Sequence, residues 1–142
     1  MKFTQILSTL LLIIFFSSTL HANDDISLDG FIAKFKSAVE SNDLESILNM
    51  NNWSGLADEQ RKGIEGSFGD IVQNGVKNIE MEIINDGEKI EFKKGVVIFS
   101  PNLPPVAKIL VEVNTEQEFR GGYSYYIGSQ HGSLKFCHVV PN

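Results

Sequence analysis

Apolar residues recur along this chain with two different periods, and the change between them divides it. Leu28, Phe31, Ile32, Phe35 and Val39 fall at i, i+3, i+4, i+7 and i+11, which is one stripe of an amphipathic helix. Ser27 stands where an N-cap belongs, and Asp29 lies in the first turn, where the helix dipole favours a carboxylate. Ser41-Asn42-Asp43 then breaks the stripe and opens a short second helix with Leu44, Ile47 and Leu48 inward. Asn42 and Glu45 have the spacing of a capping box, and Asp43 reads as a cap rather than a catalytic acid. A third helix over about residues 58–74 carries Ile64, Phe68, Ile71 and Val72 on one side, with Gly63, Gly66 and Gly69 opposite. Three interior glycines cost up to about 3 kcal/mol relative to alanine. They imply a second close-packed surface, against the first helix or a second subunit in a homodimer, or else tolerated looseness.

From residue 76 the period becomes two. Ile79, Met81 and Ile83 alternate with Glu80 and Glu82, and Asn85-Asp86-Gly87 is a hairpin turn signal. Ile90 and Phe92 continue the inward pattern, and Lys94-Gly95 turns into Val96-Val97-Ile98-Phe99. Residues 101–105 hold three prolines and read as a stiff, extended connector. Three long antiparallel strands between residues 106 and 140 follow, and they organise the rest. Charged residues mark their outer faces. Lys108 and Glu112 outward leave Ile109, Val111 and Val113 inward; Arg120 outward leaves Phe119, Tyr123, Tyr125 and Ile127 inward, with Gly121 giving room. Lys135 outward leaves Leu134, Phe136, His138 and Val140 inward. The expected fold is α+β: three N-terminal helices packed on a curved, mostly antiparallel sheet of five to six strands.

The segment ahead of the first helix adds an address. Lys2, an unbroken apolar run over residues 10–16, and Leu20-His21-Ala22 ahead of Asn23-Asp24-Asp25 have the layout of a cleaved secretory signal. Residues 1–22 are therefore expected to be removed, leaving one domain over residues 23–142, periplasmic or secreted. The apolar run is too short to span a membrane, so the mature chain is expected to have no membrane association. Formal charge is −6 and becomes more negative once Lys2 leaves, which argues against nucleic acid as a partner. Cys137 is the single cysteine, so no intramolecular disulfide forms, and a buried apolar role is expected for it.

The inward inventory limits the chemistry. Its polar atoms are the hydroxyls of Tyr123 and Tyr125 and the imidazole of His138; no strand carboxylate points inward, so an acid–base pair would have to borrow one from a helix. Cys137 and His138 are adjacent and point to opposite faces, which rules out a nucleophile pair, and two histidines beyond residue 22 make a metal site improbable. No catalytic residue, metal or cofactor is assigned. Trp53, the single tryptophan, sits in a polar connection over residues 49–55 and reads as a plug at the end of the core. Asn52-Trp53-Ser54 also matches a glycosylation acceptor by chance-level spacing. Candidate ligand-binding residues are Tyr123, Tyr125, His138 and Trp53. His138 is read first as a hydrogen-bonded core residue and second as a pocket residue.

Residues 35–48, with the Ser41-Asn42-Asp43-Leu44 step between two helices, resemble the opening of nuclear-transport-factor-two-like domains. The ending, Gly128-Ser-Gln-His-Gly-Ser-Leu-Lys-Phe136, is similar to their last hairpin, with Leu134 where a Trp is common. The resemblance implies a cone, a sheet wrapped on helices with a pocket at its open end, and a family holding both enzymes and non-catalytic binding modules. Two functions follow as expectations. The first is an exported binding module that takes a small apolar ligand or a partner protein. The alternative is a cofactor-free isomerase or hydratase using His138 and a Tyr. An open pocket holding His138 beside a helix carboxylate would favour the enzyme; a filled interior would favour interaction.

Overall fold

The Ser27 hydroxyl accepts the Gly30 N–H at 3.0 Å and starts helix α1, Leu28–Glu40. The computed structural model describes residues 27–116 and 122–142. The proposed signal sequence and the Phe119, Arg120 and Gly121 assignments therefore lie outside the described residues. Helix α1 buries the predicted stripe positions Phe31, Phe35 and Val39. It ends where Asn42 takes a left-handed φ of 55°. Asp43, not Asn42, then caps α2, Leu44–Asn49: its carboxylate accepts the Ser46 N–H at 3.0 Å and the Ser46 hydroxyl at 2.6 Å. Asn42 is spent on reversing the chain, which Asn tolerates better than most residues.

Helix α3, Asp58–Asn74, buries Phe68 and Ile71 and runs without interruption through its three glycines. A Cβ at Gly63, Gly66 or Gly69 would meet no described atom within 4 Å. The close packing expected against the first helix is thus absent, and that side of α3 is open. Gly75, with φ 77°, turns the chain out of α3 into strand β1.

Among the described residues seven antiparallel strands follow: β1 Val76–Ile83, β2 Phe92–Lys94, β3 Val97–Pro101, β4 Pro105–Val113, β5 Tyr123–Gln130, β6 Ser133–Cys137 and β7 Val139–Pro141. They form two sheets, ordered β1-β4-β5-β6 and β2-β3-β7. The α+β class stands, with three helices against antiparallel strands. The last expected strand divides at His138, and its two halves join different sheets. Asn85-Asp86-Gly87 does turn, with Gly87 at φ 81° and Glu88 N–H to Asn85 O at 3.1 Å. It does not make β1 and β2 partners, because β1 pairs with β4 and β2 with β3. The residues of 101–105 are likewise absorbed into structure: Pro101 ends β3, Pro105 opens β4, and Leu103 is buried.

Register places the inner face in rows across the first sheet. Ile79, Val111 and Tyr123 form one; Met81, Ile109 and Tyr125 the next; Ile83, Ala107, Ile127 and Phe136 a third. Ile109, Ala107, Ile127 and Phe136 are fully buried, whereas Met81 and Ile83 are 41% and 58% exposed. The alternation of β1 therefore identifies its face but not its burial. It is an edge strand, and the buried residues of the helix stripes cluster with those of β4, β5 and β6. Phe92, also expected inward, is exposed because its strand belongs to the second sheet. Phe31, Phe35, Phe68, Tyr125 and Phe136 close the interior, with Phe136 packed against all four others at centroid distances of 4.9–5.5 Å.

Candidate functional site

The four candidate residues fall into two pairs with Phe136 between them. Strand alternation directs Tyr123 and Tyr125 of β5 toward α3. The Tyr123 hydroxyl donates to Asp70 Oδ2 at 2.5 Å, and the Tyr125 hydroxyl meets Ser67 Oγ at 2.8 Å. The Tyr125 ring stacks on Phe68 with centroids 4.5 Å apart and 10° between planes. Tyr125 is buried and Tyr123 half-buried. The carboxylate that the strands lack is thus supplied by a helix, but to a tyrosine. The hydrogen bond to Asp70 holds the Tyr123 phenol above its ordinary pKa, and burial raises that of Tyr125. Both phenols stay protonated and act as donors; neither is poised to take a proton.

The second pair joins Trp53 to His138, rings stacked at 5.9 Å and 22°. His138 is 8% exposed. Asn51, buried beside it, donates from Nδ2 to Ile47 O at 2.7 Å, which turns its Oδ1 toward His138 Nε2 at 2.8 Å. An acceptor there requires Nε2 to carry the proton, so the imidazole is the neutral Nε2–H tautomer. Burial lowers its pKa to about 4. Asn102 fixes the backbone on either side: its Oδ1 accepts the His138 N–H at 2.9 Å, and its own N–H donates to the His138 carbonyl at 2.9 Å. The Asn102 Nδ2 reaches back to Asn52 O and Ser54 O, at 2.9 and 2.7 Å. Trp53 Nε1 donates to Leu48 O at 3.1 Å, and Arg61 holds the Trp53 carbonyl. Asn52 donates its own side-chain amide to Asn102 O at 3.2 Å. Three segments distant in sequence are joined here, around an imidazole that has no carboxylate partner among the described residues.

Cys137 lies on the other face, buried, its thiol pushed up to about 12 by desolvation. Among the described residues no group of His, Cys, Asp or Glu is arranged to hold a metal ion, and every buried side-chain N or O atom has a hydrogen-bond partner. Sequence reasoning missed Asp70, Ser67, Asn51 and Asn102. Asp70 and Ser67 sit one helical turn apart on α3 beside Phe68 and Ile71, a placement that the helical wheel contains. Asn51 and Asn102 lie in loops, where no periodicity marks them.

No family model matches the chain, and no curated protein matches it. Solved structures do. A Campylobacter jejuni protein called an NTF2-like transpeptidase is similar at 20% identity and a TM-score of 0.38, over 78% of this chain and 97% of that one. An NTF2 chain named Rd1NTF2_05 is similar at 9% identity and a TM-score of 0.41, covering 80% and 95%. A Xanthomonas campestris protein, called a calcium/calmodulin dependent protein kinase II association domain, is similar at 8% identity and 0.38, covering 80% and 84%. These likenesses carry nothing about chemistry.

Proposed function

We propose that this chain is an exported, non-catalytic α+β module that works by contact with another protein rather than by enclosing a small molecule. The observation that supports the reading is where the interior's polar atoms are spent. Tyr123 is committed to Asp70, Tyr125 to Ser67, His138 to Asn51 and Trp53 to a backbone carbonyl. The space between them is occupied by Phe31, Phe35, Phe68 and Phe136. A ligand entering there would have to break in-chain hydrogen bonds and displace aromatic rings, which costs more than an apolar guest returns. The enzyme alternative would draw on Tyr123 and Asp70. Their arrangement keeps the phenol protonated, and His138, the expected base, is buried, neutral and away from that carboxylate. Export rests on the layout of residues 1–22.

Benzene and 8-anilinonaphthalene-1-sulfonate test this reading as apolar probes. Neither should raise the melting temperature or move the amide signals of Phe68, Tyr125 and Phe136. A saturable shift centred on those three residues would show an interior that accepts guests and would overturn the proposal.

A further inference from the structure

Three steps from an aspartate or asparagine into a glycine lie among the described residues: Asp29-Gly30, Asn74-Gly75 and Asp86-Gly87. At such a step the glycine nitrogen can attack the side-chain carbonyl carbon before it, because glycine has no Cβ to obstruct the approach. The attack needs a backbone free to rotate out of helical geometry and a glycine N–H that no acceptor holds. In two of the three steps both conditions fail. Asp29 lies in the first turn of α1, and Asn74 is the last residue of α3. Gly30 N–H donates to Ser27 Oγ at 3.0 Å, and Gly75 N–H donates to Ile71 O at 2.8 Å. The Asn74 side chain is tied down as well, its Nδ2 donating to Asp70 O and to Asp70 Oδ1 at 2.9 Å each. Asp86-Gly87 differs at every point. It lies in an exposed turn over residues 85–89. Gly87 N–H makes no hydrogen bond among the described residues, and a Cβ built there would meet nothing within 4 Å. The flanking strands β1 and β2 belong to different sheets, so no ladder bond crosses the turn.

We propose that Asp86 is a site of spontaneous covalent modification, isomerising to isoaspartate, while the fold protects Asn74 and Asp29. The Gly87 nitrogen forms a bond to Asp86 Cγ; its proton and the carboxyl hydroxyl leave together as water, and a cyclic succinimide closes. Water then opens the ring at either carbonyl. Opening at the side-chain carbonyl restores aspartate, and opening at the main-chain carbonyl leaves the chain running through Cγ, which is isoaspartate. The water lost is regained, nothing is oxidised or reduced, and no co-reactant beyond solvent is needed. In an unfolded chain Asn74-Gly75 would be the more reactive step, because an amide is uncharged whereas a carboxylate must take up a proton before it is attacked. The fold reverses that order. Helical amides are reached only through local opening, and an exposed turn needs none. Isoaspartate lengthens the main chain inside the turn that Glu88 N–H closes on Asn85 O at 3.1 Å. It would thereby move one wall of the groove that residues 85–91 form with residues 100–106.

Peptide mass mapping of the purified protein, aged at neutral pH with and without unfolding urea, reads all three steps. Deamidation registers as a mass gain, and isoaspartate by fragmentation beside its main-chain methylene. In the folded protein isoaspartate should accumulate at position 86 and not at positions 29 or 74. Asp86→Asn then places the same side-chain chemistry ahead of Gly75 and Gly87, so that structure alone separates the two steps. Asp86 is exposed, so the variant should fold as its parent does. In the folded variant position 86 should deamidate at least about tenfold faster than Asn74, and in urea the two rates should converge. The proposal is overturned if Asn74 keeps pace with position 86 in the folded variant, or if the two rates stay apart in urea. It is equally overturned if the folded parent forms no isoaspartate at position 86 over a time in which the urea-unfolded chain does.

Discussion

Replacing His138 by alanine removes a stack and orphans an acceptor, and the two losses can be separated by pH. At neutral pH the imidazole shields Trp53 and satisfies Asn51 Oδ1, whose own residue is 6% exposed. An unpaired buried acceptor costs about 1–3 kcal/mol. Loss of the ring's apolar burial adds about 1–2 kcal/mol. His138→Ala should therefore lower stability by about 2–4 kcal/mol at pH 7, the overlap of the two terms trimming their sum. The pH dependence has a definite sign. In the unfolded chain His138 titrates near 6.5, and in the fold near 4. Above 6.5 both states hold it neutral. Between 6.5 and 4 only the unfolded state takes up the proton, so the parent loses stability as pH falls through that window. The loss approaches about 3 kcal/mol at full development.

The alanine variant lacks this titration, so the gap between parent and variant should be widest at pH 7 and shrink toward zero near pH 4. Urea unfolding followed by far-ultraviolet circular dichroism, at pH 7, 6, 5 and 4, measures it. Every other titrating group is common to both proteins and cancels in the difference, including Asp43, whose hydrogen bonds to Ser46 hold its carboxyl below the ordinary value. A variant as stable as its parent at pH 7, or a gap that stays constant down to pH 4, would refute the core assignment of His138.

Three further outcomes are expected. Alanine at Gly63, Gly66 and Gly69 together should raise stability by about 1.5–3 kcal/mol, because each added Cβ meets open space and each glycine costs about 0.5–1 kcal/mol in a helix; sedimentation that shows a parent dimer lost in the variant would mean that face serves an interface instead. Gly128→Ala should cost about 1–3 kcal/mol, since its Cβ would lie 2.6 Å from Leu103 Cβ and 3.0 Å from Pro104 O, and an unchanged urea midpoint would contradict that crowding. Leu12→Arg should keep the precursor in the cytoplasm, and a shortened mature chain appearing outside at normal levels would remove the export proposal.

Elements with an internal period were legible. The stripe of α1, the extent of α3 and the inner faces of β4, β5 and β6 follow from spacing, because periodicity records which side of an element meets the core. Partnership and coverage were not legible. Asn85-Asp86-Gly87 encodes a turn, but whether the flanking strands pair depends on β4, which competes for the same edge of β1 and has nine residues to offer. Met81 reads the same as Ile109, yet one is half-exposed and the other fully buried, since position in the sheet and not alternation decides. The candidate residues show the same division. Alternation aimed Tyr123, Tyr125 and His138 inward, while their partners Asp70, Ser67 and Asn51 come from a helix and a loop that local sequence does not link to them.

The distribution of hydrogen bonds identifies the polar residues that hold the fold. Asn51, Asn52 and Asn102 each make in-chain side-chain bonds, across 2 to 87 positions of sequence. Substituting one of them orphans a partner, so the damage registers as lost stability before any contact with another molecule is affected.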